Sequence, residues 1–131
     1  MPILEILQSI ENDASKLERF KQALEQETTL DLSRQNLSPL DISHLSKALE
    51  QNKSLTDLNL SLNEIDNEGI KVLSAALKAN THLQKLNLQY NDIGDTGIEA
   101  LAVALNENLS LRDLNLSMNL ITYKPQFDEI N

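Results

Sequence analysis

Ser38, Asp41, Ser43 and His44 lie within seven residues of one another. A hydroxyl, an imidazole and a carboxylate in hydrogen-bonded series form the relay of a serine hydrolase. The local context assigns them another use. Ser38 precedes Pro39, which reads as a helix cap followed by a proline at the first helical position. Asp41 then falls in the first turn of that helix, and His44 reads as a solvated or partly packed helix residue. His82, the second histidine, occupies an unrelated slot in a loop. The chain has no nucleophile elbow, no phosphate-binding glycine loop and no His/carboxylate set at metal-ligand spacing. With no cysteine it has no thiolate nucleophile, disulfide framework or zinc–thiolate site. The expectation is a non-enzymatic protein without cofactor or metal.

The 131 residues suffice for one domain with a modest core. Eleven basic against twenty acidic side chains give a formal charge of −9. That balance disfavours nucleic acid, whose binding needs Lys and Arg to displace counterions. No stretch approaches the roughly 20 apolar residues of a bilayer span, so no membrane association is expected. The opening MPILEILQSIEND lacks a basic n-region and a small-residue cleavage site. A cytoplasmic protein is therefore expected. Five Asn-x-Ser sequons, at Asn36, Asn52, Asn59, Asn108 and Asn115, read as by-products of an Asn- and Ser-rich sequence.

Leucine supplies 26 residues, a skew that signals a periodic architecture. In blocks of 28, Leu55 to His82 reads LTDLNLSLNEIDNEGIKVLSAALKANTH and Leu83 to Ser110 reads LQKLNLQYNDIGDTGIEALAVALNENLS; the two are identical at 12 of 28 positions. Leu111 to Ile121 starts a third block, and an earlier one fits from Leu30. The L-x-x-L-x-L half alternates like a strand, with Leu58 and Leu60 inward and Asp57, Asn59 and Ser61 outward. The G-I-x-x-L-x-x-x-L half puts Ile70, Leu73 and Leu77 on one helical face. Asp66, Asn67 and Asp95 stand at N-cap positions. Asn63, Asn91 and Asn119 recur just after each strand, where an amide can satisfy backbone groups freed as the chain leaves the sheet. Gln35 fills that slot in the first block and predicts a looser turn. Gly69 and Gly97 share a slot that suits close backbone packing. One strand and one helix cannot bury their apolar faces alone, but stacked neighbours can.

This pattern resembles the leucine-rich repeat of the ribonuclease-inhibitor type over Leu30 to Ile121. The resemblance implies an α/β leucine-rich-repeat solenoid, a short right-handed horseshoe arc with about four parallel strands and an N-terminal helical cap. It implies protein binding without naming the ligand. A minimal array without cysteine also resembles small bacterial members of the class. For a host-associated bacterial source, that implies an effector-like protein secreted into a host cell, with a host protein as partner.

Residues 1–29 read as a helical cap, 30–121 as repeats, and 122–131 as a short C-terminal cap or tail. Ile3, Leu4, Ile6, Leu7 and Ile10 form the stripe of a first helix. A second starts at a capping box of Ser15 with Glu18, runs through Leu17, Phe20 and Leu24, and reads as a degenerate repeat helix. At the other end, Phe127 and Ile130 are expected to fold over Leu114, Leu116 and Ile121. The alternative is an open last strand that pairs two molecules, giving a monomer or a weak homodimer.

Recognition is expected on the concave sheet face and the strand exits. One outward column runs Thr29, Asp57, Lys85, Asp113; the next runs Asp31, Asn59, Asn87, Asn115; the third runs Ser33, Ser61, Gln89, Ser117. The asparagine column has an alternative use in bonding along itself. At the strand exits stand Arg34, Leu62, Tyr90 and Met118, then Asn36, Glu64, Asp92 and Leu120. Large apolar groups ringed by polar ones suit binding anchors, although Leu62 and Met118 also suit shielding of neighbouring strands. The residues expected to contact a protein partner are Arg34, Asp57, Asn59, Leu62, Glu64, Lys85, Asn87, Tyr90, Asp92, Asp113 and Met118. A structural, self-associating role through the C-terminal edge or N-terminal helix is the alternative.

Overall fold

Around the first leucine of each Leu-x-Leu pair the chain builds a three-residue strand whose central side chain faces the core, and the second leucine follows just past the strand. The computed structural model describes residues 2–120. Its elements are α1 (Ile3–Gln8), α2 (Ala14–Leu24), β1 (Thr29–Asp31), α3 (Pro39–Gln51), β2 (Asp57–Asn59), α4 (Asn67–Ala79), β3 (Lys85–Asn87), α5 (Asp95–Glu107) and β4 (Asp113–Asn115). The strands form one parallel sheet in the order β1-β2-β3-β4. Their register steps by one repeat, pairing Leu30 with Leu58, Leu58 with Leu86 and Leu86 with Leu114. This is the α/β leucine-rich-repeat fold that the sequence predicts.

Helices α3, α4 and α5 pack side by side behind the sheet. Leu45, Leu49, Leu73, Leu77 and Leu101 meet Leu58, Leu60, Leu86 and Leu88 in one continuous core. Full burial of each such leucine contributes about 1.5–3 kcal/mol. The described core thins toward its last strand, where Leu114 and Leu116 are only partly buried. The expected cover of Phe127 and Ile130 over Ile121 lies outside the described residues.

At the other end, Leu7, Ile10, Phe20 and Leu24 carry α1 and α2 onto the core. The helix α2 behaves as a reduced repeat helix: the Ser54 hydroxyl donates to the Leu24 carbonyl at 3.0 Å, much as the Asn80 amide donates to Leu49 at 2.7 Å. Its cap differs from expectation. Asp13 accepts from the Ser15 N–H at 2.9 Å and from the Ser15 hydroxyl at 2.6 Å. Ser15 is thus a donor inside the helix, and Glu18 pairs with Lys21 instead of closing a box.

Ser38 caps α3 as expected: its hydroxyl accepts from the Asp41 N–H at 3.1 Å, and the Asp41 carboxylate accepts from the Ser38 N–H at 2.9 Å. That reciprocal box occupies two of the three groups a hydrolytic relay would need, the hydroxyl and the carboxylate. His44 is buried, not solvated. Its helical position is the one that leaves Val72 exposed on α4; α3 has α1 and α2 packed against it, and α4 does not.

Candidate functional site

Two surfaces collect the residues expected to bind. On the helix-free face of the sheet, Asp57, Lys85 and Asp113 sit in adjacent register on β2, β3 and β4, with Asn59 and Asn87 paired beside them. A shallow groove of about 360 Å³ runs across this face and is lined by all five. Among the described residues, Lys85 has no ion-pair partner. Ser61, expected on the outer side, is buried instead.

The asparagine column does not bond along itself. Asp31, Asn59, Asn87 and Asn115 each turn a side-chain oxygen back to the N–H two residues on, at Ser33, Ser61, Gln89 and Ser117 respectively, over 2.9–3.0 Å. These Asx turns end each strand. They also give Asn59 and Asn115 a local role within their sequons, because the sequon serine is the turn's donor. The Ser33 hydroxyl, followed by the Ser33 backbone N–H, holds the Asp31 carboxyl below its ordinary 3.8.

The strand exits form the second surface. Arg34, Leu62, Tyr90 and Met118 all have left-handed backbone, with φ of 57°, 60°, 56° and 60°. Asn36 and Glu64 share that conformation at 50° and 59°, whereas Asp92 does not. Outside Gly, Asn and Asp, this region costs about 1–2 kcal/mol per residue. Leu62, Tyr90 and Met118 are nonetheless 38%, 45% and 62% exposed. Arg34, Leu62 and Glu64 line an open notch of their own, while Tyr90, Asp92 and Met118 line neither depression.

The backbone behind this row is fixed by asparagines. The Asn63 amide donates to Leu32 O at 2.8 Å and Leu60 O at 3.1 Å, and its oxygen accepts from Gln35 N and Leu37 N. Asn91 repeats the arrangement one block on, and Asn119 takes the same place in the third. In the first block the Gln35 side-chain amide donates to Ser33 O, two residues away, at 3.1 Å.

A second ladder escaped the sequence reading. Asn80 and Asn108 end α4 and α5, donating to carbonyls one repeat back and accepting from the N–H groups of the following turn. Asn52 accepts in the same way from Ser54 and Leu55. The signal was present in the sequence as an asparagine recurring every 28 residues at the helix end.

The helix caps also cross repeats. Asp66 caps its own helix through Gly69 N at 2.9 Å. Asn67 and Asp95, expected as caps, are the first residues of their helices. The Asn67 oxygen instead accepts from Gly94 N at 2.7 Å and Gly97 N at 3.1 Å, capping α5 from the neighbouring repeat.

The family model described as "Leucine Rich repeat" matches residues 51–74 and 79–102. No curated protein matches the chain in sequence. Among solved structures, "Leiomodin-1 Actin-Binding Site 2 (ABS2)" is similar with a TM-score of 0.71 and 21% identity, over 87% of this chain and 81% of that one. A Caenorhabditis elegans tropomodulin C-terminal domain is similar with a TM-score of 0.58 and 13% identity, over 87% and 84%. These likenesses are of fold. No helix among the described residues is long and apolar enough to cross a membrane.

Proposed function

We propose that this leucine-rich-repeat protein is a protein-binding module that contacts its partner through the open sheet face and the strand-exit row. The observation that carries this reading is the run of Leu62, Tyr90 and Met118: large, exposed and apolar on a left-handed backbone that Asn or Gly would adopt at less cost. The 28-residue register and 13-residue helices support the ribonuclease-inhibitor subtype. Actin is the first protein to test, since the similar leiomodin-1 structure is of an actin-binding site. The effector reading rests on the short, cysteine-free array alone and makes host-cell lysate the second bait.

The experiment is actin co-sedimentation and crosslinked pull-down from lysate. Wild type is compared with a Lys85→Glu, Tyr90→Ala double variant whose fold is checked by circular dichroism. A protein retained by the wild type and lost by the variant supports the reading. Equal retention by both, or by neither, overturns it.

One observation favours self-association: β4 is the last strand of the described sheet, and its Leu114 and Leu116 are only partly buried. A molecular mass that rises with concentration in light scattering is the mark of that reading.

A further inference from the structure

The sheet's hydrogen-bond ladder continues past the strands into the exit row. Arg34 N donates to Ser61 O, Leu62 N to Gln89 O and Tyr90 N to Ser117 O, at 3.1, 3.0 and 3.1 Å. These bonds hold neighbouring members of the row at the inter-strand spacing of about 4.8 Å. Leu62, Tyr90 and Met118 therefore repeat over roughly 10 Å in a line that crosses the strands.

A partner lying along that line must present apolar groups at nearly the same interval. An α-helix brings one face round every ~5.4 Å, so it drifts by only about 1 Å over two steps. An extended chain places same-face side chains about 6.6–6.8 Å apart and is almost one repeat out of step by the third residue.

Charge then sets the flanks. Glu64 and Asp92, two residues beyond Leu62 and Tyr90, are exposed and form no ion pair among the described residues. Arg34 stands at the head of the row, also exposed and unpaired among them. Asn36 and Leu120 hold the other two flanking positions, so complementarity to this pattern requires cations opposite Glu64 and Asp92 and an anion at one end.

We infer that the strand-exit row docks an amphipathic helix of a partner protein. Its apolar stripe lies on Leu62, Tyr90 and Met118, Lys or Arg faces Glu64 and Asp92, and an acidic residue meets Arg34. This rests on the reading of the chain as a protein-binding module and specifies its surface and its partner's chemistry.

The test is selection from two displayed libraries, one of helix-stabilised peptides of about 15 residues, long enough to span the row, the other of proline-interrupted extended peptides. Selected peptides are then titrated into isotope-labelled full-length protein, with amide shifts mapped by NMR. The proposal expects helical winners with Lys or Arg flanks, shifting Leu62, Tyr90 and Met118. It also expects affinity at least about tenfold weaker for Tyr90→Asn, which keeps a left-handed residue, and for a Glu64→Lys, Asp92→Lys double variant. Extended or acidic winners, shifts confined to Asp57, Lys85 and Asp113, a concentration-dependent self-contact at the row, or no winners at all overturn it. A successful pull-down beside any of these outcomes leaves the protein-binding reading standing; a failed pull-down removes both.

Discussion

Asn63 and Asn91, one repeat apart, are joined directly: the Asn91 side-chain oxygen accepts from the backbone N–H of Asn63 at 3.1 Å and from that of Ile65 at 2.9 Å. The Asn91 amide donates to Leu60 O at 3.1 Å and Leu88 O at 3.0 Å. One buried side chain therefore satisfies polar backbone on both sides of a repeat boundary, where water does not reach. The exit row stands on this ladder.

Asn91→Ala orphans the buried N–H groups of Asn63 and Ile65, while Leu60 O and Leu88 O keep the amides of Asn63 and Asn119. A loss of roughly 3–5 kcal/mol is expected by chemical denaturation. Asn119→Ala, partly exposed at the edge of the described sheet, is expected to cost less. Equal costs at the two sites would show that burial does not set the penalty.

Gly97 has no room for a methyl group. A Cβ there would meet Ile70 Cγ2 at 2.5 Å and Asn67 Oδ1 at 2.7 Å, whereas at Gly94 it would meet only the Asn67 amide, at 3.3–3.8 Å. Gly97→Ala should destabilise by about 1–3 kcal/mol and Gly94→Ala by clearly less. Thermal melts of the two variants decide this, and a reversed order would contradict the contact.

Stability and recognition are separable at the strand exits. Leu62→Gly relieves a left-handed backbone and is expected to be neutral or to stabilise by up to about 1 kcal/mol. Leu60→Ala, two residues earlier in the core, should cost about 2–5 kcal/mol. Both are read from denaturant midpoints. A large loss from Leu62→Gly would mean that Leu62 shields the sheet and does not serve as an anchor.

Acid acts on β1 through Asp31. Its folded pKa lies below the ordinary 3.8, chiefly through the Ser33 hydroxyl and then the Ser33 N–H. A depressed carboxyl stabilises the fold above its unfolded value, and that contribution is lost as pH falls through the folded one. Asp13 acts in the same direction, with the Ser15 hydroxyl as the main cause. Asp31→Asn keeps the turn that Asn59, Asn87 and Asn115 make in the other repeats. Stability near pH 7 is expected to move by less than about 0.5 kcal/mol, with a flatter decline below pH 3.8 in stability-versus-pH curves. An unchanged acid limb would remove Asp31 from the account.

The leucine period by itself determined the strands, the helices, their parallel stacking and the core, because apolar spacing of two or of three to four residues selects one backbone for each half-repeat. It also marked Asn63, Asn91 and Asn119 as structural, and it put Lys85 beside Asp57 and Asp113 in one column. The tertiary structure decided what each polar side chain bonds to. Asn67 caps the helix after its own, Asn80 reaches back to Leu49, and His44 is buried where Val72 is exposed. The backbone at Leu62, Tyr90 and Met118 turns left-handed at residue types that seldom adopt it. Each depends on a neighbour about 28 residues away, brought within hydrogen-bonding or van der Waals reach only when the repeats stack. Local sequence fixes a residue's conformational preferences; the stacked repeats supply the partner or the constraint that overrides them.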